Sequence, residues 1–112
     1  MDLLTELLNK QDELRQTIKA MKSWGSKKAE AEKAYKIRLR QEVLKERDKG
    51  TAIGVITLIV YGEDEVAKMR LDRDITETMY EACKEQINAI KLEIRVLENQ
   101  INREYGVEGK QL

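Results

Sequence analysis

Histidine is missing from this 112-residue chain, and so are proline and phenylalanine. Without an imidazole there is no base for a serine or cysteine triad. The usual zinc sites go with it, as does the Glu-x-x-His di-iron pattern of helical bundles. Without proline, long helices meet no breaker. Aromatics make up only 4% of the chain, so Leu, Ile, Val, Met and Ala must fill a thin core. One cysteine, Cys83, has no partner for an internal disulfide, and a reducing compartment is expected. Beside Ala82 and near Ile87 it reads as a small core residue. No apolar run approaches the length of a transmembrane helix. The opening MDLLTELLNK carries Asp2 and Glu6 where a signal peptide would be basic, so none is expected. Gly50, Gly54 and Gly62 lack the spacing and the following lysine of a phosphate loop. No catalytic residue, cofactor or metal site is expected, and the chain is read as not an enzyme.

What the chain has is charge. Charged residues are 38% of it, with 21 basic against 21 acidic. A zero balance argues against a polyanion binder that uses the whole chain. Residues 1–50 nevertheless carry 13 basic and 9 acidic side chains, and residues 51–112 carry 8 and 12. A basic half and an acidic half can pair with each other. This composition favours long helices or coiled coils.

Residues 2–23 predict a first helix, with Leu4, Leu7, Leu14, Ile18 and Met21 at heptad positions. Leu3 and Leu8 widen the stripe. The run 23-SWGS-26 predicts a break: Gly25 suits a left-handed helix end and Ser26 an N-cap. A kinked but continuous helix is the alternative, with Trp24 covering the joint. Residues 26–49 predict a second helix that ends on Lys49 and a C′ glycine, Gly50. A long helix over 63–105 follows, with Glu63, Asp64 and Glu65 in its first turn. Its stripe is Ile87, Ile90, Ile94, Leu97 and Ile101. The tail 106–112 is expected to fray.

Between the charged arms lies the connector 51–62, which carries no charge at all. Four readings compete. Thr51 could cap a short packed helix over about 52–60, against poor intrinsic propensity. The segment could be a strand that pairs with a second copy. It could be an exposed apolar grip for a partner. It could dip into a membrane, against repulsion from Asp48 and 63-EDE-65.

Lengths suggest the architecture. Residues 26–49 sum to +4 and residues 63–86 to −4, so folding at the connector would lay one on the other. The reading is all-α: a long antiparallel, coiled-coil-like hairpin with a kinked or broken first arm and a short apolar helix at its tip. A compact three-helix bundle is second. Two helices bury little apolar area, so completion by homo-oligomerisation is expected. The segment 68-KMRLDRD-74 should face 36-KIRLRQE-42, either as exposed ion pairs or as a polar network that fixes register.

The stretches 29-AEAEKAYKIRLRQEVLKERDKG-50 and 62-GEDEVAKMRLDRDITETMYEACKEQINAIKLEIRVLENQINREYG-106 resemble small helical proteins of unknown function from phages and prophages of Gram-positive bacteria. Those proteins tend to be encoded among early, recombination or replication genes. The resemblance covers about two thirds of the chain and carries over no catalytic or ligand residue. It departs in the connector, which is more apolar here. It implies an accessory protein of the host cytoplasm that binds a phage or host protein or assists DNA transactions. The leading expectation is therefore a non-enzymatic interaction or self-assembly protein, with Ile53, Ile56, Leu58, Ile59 and Tyr61 as the contact surface. The alternative is a nucleic-acid accessory of phage recombination or replication that uses Lys33, Lys36 and Arg40 on the basic helix 26–49.

Overall fold

In the computed structural model, which describes residues 2–111 and their side chains as far as Gly106, three helices follow one another. They are α1 (Leu3–Asp48), α2 (Ile53–Tyr61) and α3 (Asp64–Gln111). No strand occurs among the described residues, so the connector is helical. The expected frayed tail, 106–112, lies beyond the described side chains from residue 107 on, and Leu112 lies outside the described residues. The chain divides into two units. A terminal unit holds Met1–Lys22 and Glu81–Leu112, and a central unit holds Ser23–Tyr80.

Inside the terminal unit the expected Ile18 of α1 is half-buried, and so are Leu3, Leu7, Lys10, Leu14, Thr17 and Met21. The steps alternate four and three, a heptad seam. The seam takes Leu3 rather than the expected Leu4, which is exposed along with Leu8. On α3, Ile87, Ile90 and Leu97 are buried, and Cys83, Ile94 and Ile101 are half-buried. Lys10 pairs with Glu93, and the Gln86 amide reaches Glu13 at 3.4 Å. Rising numbers on α1 meet falling numbers on α3, so these segments run antiparallel.

The central unit has a core of Tyr35, Ile56, Val60 and Val66, with Leu39, Val43 and Met69 packed against it. All three helices contribute. Here too the pairing is antiparallel: Arg38 reaches Glu63 and Glu32 reaches Arg73.

The ends of these helices are built by local hydrogen bonds. Asp2 accepts the Thr5 N–H at 2.7 Å and caps α1. That bond draws the Asp2 carboxyl below its ordinary pKa. At the other end Gly50 takes φ 79°. The Thr51 N–H reaches the Glu46 carbonyl and the Gly50 N–H reaches that of Arg47. This is a Schellman motif, with Gly50 at C′ as its sequence predicts. Thr51 does not cap α2. Its hydroxyl donates to Glu46 at 2.8 Å, and Ala52 holds the N-cap position with no side-chain bond. Glu63 caps α3 with both oxygens, on the N–H groups of Val66 (2.9 Å) and Glu65 (3.2 Å).

The expected break at Gly25 is absent, and α1 runs through 23-SWGS-26. A glycine inside a helix costs only about 1 kcal/mol, too little to end one whose neighbours on both sides keep the heptad. Gly25 faces the Tyr80 ring, and a Cβ there would meet it at 3.4 Å, an ordinary contact. Trp24 covers no joint; it lies under the Lys27 ammonium, 4.4 Å from the ring centroid.

Two glycine variants should move stability in opposite directions. Gly25→Ala gains helix propensity of up to about 1 kcal/mol while meeting Tyr80 at van der Waals distance, and should raise the melting temperature. Gly50→Ala meets no neighbour but forces a side chain into the left-handed region, at about 1 kcal/mol, and should lower it. Thermal melts followed by circular dichroism read both.

Glu63 gives a pH test. The Val66 N–H, then the Glu65 N–H and Arg38, hold its carboxyl below the ordinary 4.5, against a smaller opposing push from desolvation. A carboxyl lowered in the folded state contributes stability above its unfolded pKa and loses it as pH falls through the folded value. Glu63→Ala should therefore melt below the parent at pH 7, and the gap should narrow below about pH 4.

Candidate interaction surfaces

The α2 helix is nine residues, IGVITLIVY, without a charge. Its β-branched residues and Gly54 give it little tendency to be helical alone. Tertiary packing compensates. Ile56 and Val60, four apart and so on one face, are buried against Tyr35 and Val66. The rest of the helix is open, its first residue included. Ile53 is 87% exposed and Leu58 79%, with Val55, Ile59 and Tyr61 also in solvent. Four of the five expected contact residues, Ile53, Leu58, Ile59 and Tyr61, thus lie at the surface. Ile56 is the correction: it faces inward and belongs to the core. Val55 is exposed and was missed; its place between Gly54 and Ile56 gave no hint of phase.

Arginines flank this helix. The Arg70 guanidinium lies 5.0 Å from the Tyr61 ring centroid. Arg38 contacts Glu42 at 3.2 Å and Glu63 at 3.5 Å, while its Nε is buried with no hydrogen-bond partner. Arg73 occupies a seam position of α3. It lies over the Tyr35 ring, 4.6 Å from its centroid, and bonds Asp74 at 2.9 Å. Its pKa is raised, first by the bond to Asp74, while partial burial opposes. The expected pairing of 68–74 with 36–42 is displaced by several residues, because Arg73 meets Glu32 and Tyr35. Stacking on a buried aromatic face holds a guanidinium there.

The outer face of α1 in the central unit carries Lys33, Lys36 and Arg40. All three are exposed, and the spacing i, i+3, i+7 puts them on one side. Ile37 and Leu44 share that side and are also exposed. Lys36 pairs with Glu32 at 3.4 Å. Of the acids interleaved in this stretch, Glu30, Glu32, Glu42 and Glu46, the last two turn elsewhere. The Glu42 side chain is only 12% exposed and binds Arg38 and Lys45. That of Glu46 is 14% exposed and binds Lys49 and Thr51. Glu30 stays exposed and Glu32 stays with Lys36, so the alternation of sign carries over to the surface only in part.

The terminal unit has an open groove of about 600 Å³ bordered by Leu92, Val96 and Leu97, with Lys10, Glu13 and Glu93 at its rim. Among the described residues no group of three His, Cys, Asp or Glu could hold a metal ion. No described helix is long and apolar enough to cross a membrane. Comparison with protein families, curated proteins and solved structures finds no match to this chain.

The two faces of α2 predict different failures. Ile56→Asp buries a charge and should unfold the central unit, at a cost of more than about 4 kcal/mol. Leu58→Asp should change stability by less than about 0.5 kcal/mol. Urea unfolding of both variants separates the faces.

Proposed function

We propose that this protein is a non-enzymatic interaction module, an accessory protein of the phage kind. Its α2 face docks on a phage or host protein in the host cytoplasm. In this reading α1 and α3 are the antiparallel, coiled-coil-like arms of a helical hairpin, and α2 is the connector that presents the contact. The observation that carries it is the open face of α2. Ile53, Val55, Leu58, Ile59 and Tyr61 stand in solvent on a helix that holds no charge. An apolar patch of this kind marks a contact surface. Arg70 on Tyr61 supplies the polar rim such contacts use.

A second reading has its own observation. With Glu42 and Glu46 turned aside, Lys33, Lys36 and Arg40 form a basic side on α1. Such a side could track a phosphate backbone during phage recombination or replication, with affinity that falls steeply with salt.

Affinity capture with the tagged full chain from a nuclease-treated Gram-positive host lysate tests both. The first reading expects a protein partner that Leu58→Asp loses and Arg40→Glu keeps. Its failure would be capture indifferent to Leu58→Asp. The second expects retention on DNA at low salt that Arg40→Glu weakens and moderate salt removes.

A further inference from the structure

Four large aliphatic side chains of the terminal unit, Leu4, Leu8, Leu92 and Val96, are 55–60% exposed. They form two pairs, each four residues apart and so on one helix face. Leu92 and Val96 belong to the open groove of this unit, whose α1 wall is Glu6, Asn9, Lys10 and Glu13. Leu4 and Leu8 stand elsewhere. Each is two residues from Glu6, about 160° round the helix, so they form a ridge on another side of α1. Both pairs continue along their helices with heptad spacing. The ridge runs Leu4, Leu8, Gln11, Arg15, and the groove side of α3 runs Glu85, Ala89, Leu92, Val96. All are exposed except Gln11, which is half-buried.

We propose that the ridge of one copy docks in the groove of a second, with its α1 antiparallel to the α3 it meets. Both surfaces lie within the terminal unit. The contact uses no residue of α2 and does not rest on the α2 reading. Charge selects a second copy as the occupant. The groove is acidic: Glu6, Glu13 and Glu93 border it against one cation, Lys10, which pairs with Glu13 and Glu93. The ridge is basic beyond its leucines, where Arg15 and Lys19 stand in solvent. Asp12 beside it already pairs with Arg15 at 3.9 Å.

Charge also selects the direction. Laid antiparallel, Leu4 meets Val96, Leu8 meets Leu92, Gln11 meets Ala89 and Arg15 meets Glu85. On the flank, Lys19 meets Glu81. Laid the other way, the aliphatic pairs still meet, but Arg15 falls against Arg103. Complementary charge of this kind fixes register and suppresses the wrong pairing. Ridge and groove are different surfaces of the same unit, so the contact is heterologous. Each copy offers its ridge to one neighbour and its groove to another, and repetition builds a ring or a filament.

Sedimentation of the full chain tests this. The parent should sediment above 13.0 kDa, with a mass that rises with concentration. Leu8→Asp spoils only the ridge and Leu92→Asp only the groove. Each alone should be a monomer with its helical circular dichroism unchanged. Mixed, they should form a one-to-one dimer, because one keeps its groove and the other its ridge. In a Cys83→Ala background, Leu8→Cys and Leu92→Cys should give a disulfide dimer when oxidised together and none when oxidised alone. Arg15→Glu should weaken the association a few-fold, and Glu85→Arg in the same chain should restore it. Leu58→Asp should leave the association intact. A monomeric parent would assign the groove to some other chain and overturn the proposal. So would association that survives Leu8→Asp, Leu8→Cys that crosslinks alone, or Glu85→Arg without rescue.

Discussion

Everything in the central unit depends on two aliphatic side chains of α2 reaching Tyr35 and Val66. Ile56 and Val60 are the means by which a poor helix former is held helical. Remove their burial and α2 has nothing in favour of its shape, since it has no side-chain cap and little intrinsic propensity. The connector is also where α1 is stopped and α3 is started. The Schellman turn at Gly50 and the Glu63 cap set the entry and exit of α2. They aim its apolar side at the core and leave the rest in water.

The same core explains the polar residues in the seam of α3. Tyr35 offers an aromatic face at the position where a heptad would ask for another leucine. Arg73 lies over that face and bonds Asp74. A planar, delocalised guanidinium tolerates such partial burial better than a lysine ammonium does. The seam is thus aliphatic in the terminal unit and mixed aromatic and ionic in the central unit, with one helix type throughout. Arg38 shows what the arrangement costs, since its Nε is buried without a partner.

Much of this was legible. The isoleucine stripe of α3 stood out because Ile87, Ile90, Ile94, Leu97 and Ile101 lie among charges and leave one phase open. Gly50 was legible because a left-handed C′ residue is a local requirement that glycine meets cheaply. The rest failed for physical reasons. At Leu3 and Leu4 two equal residues compete for one seam position, and only packing decides. In α2 no residue is charged and all but Thr57 are apolar or glycine apart from the Tyr61 hydroxyl, so hydropathy contains little phase and Ile56 could not be told from Leu58. Gly25 looked like a stop because the helix signals were weighed locally, while its contact with Tyr80 is remote in sequence. On the surface, the sequence did not show that Glu42 and Glu46, which follow Arg40, fold away from the side of Lys33, Lys36 and Arg40.

The hydrogen bonds of the two units differ in the chain they must close. The Arg38–Glu63 contact spans 25 residues, and the Gln86–Glu13 contact spans 73. Loop closure grows more costly with length, though slowly, and local contacts form sooner. The central unit can therefore assemble as soon as residue 80 is available, while Met1–Lys22 waits for a partner segment that begins at Glu81. During synthesis the leucines of the first helix are the last to be covered, and that waiting period is when the chain is most exposed to aggregation.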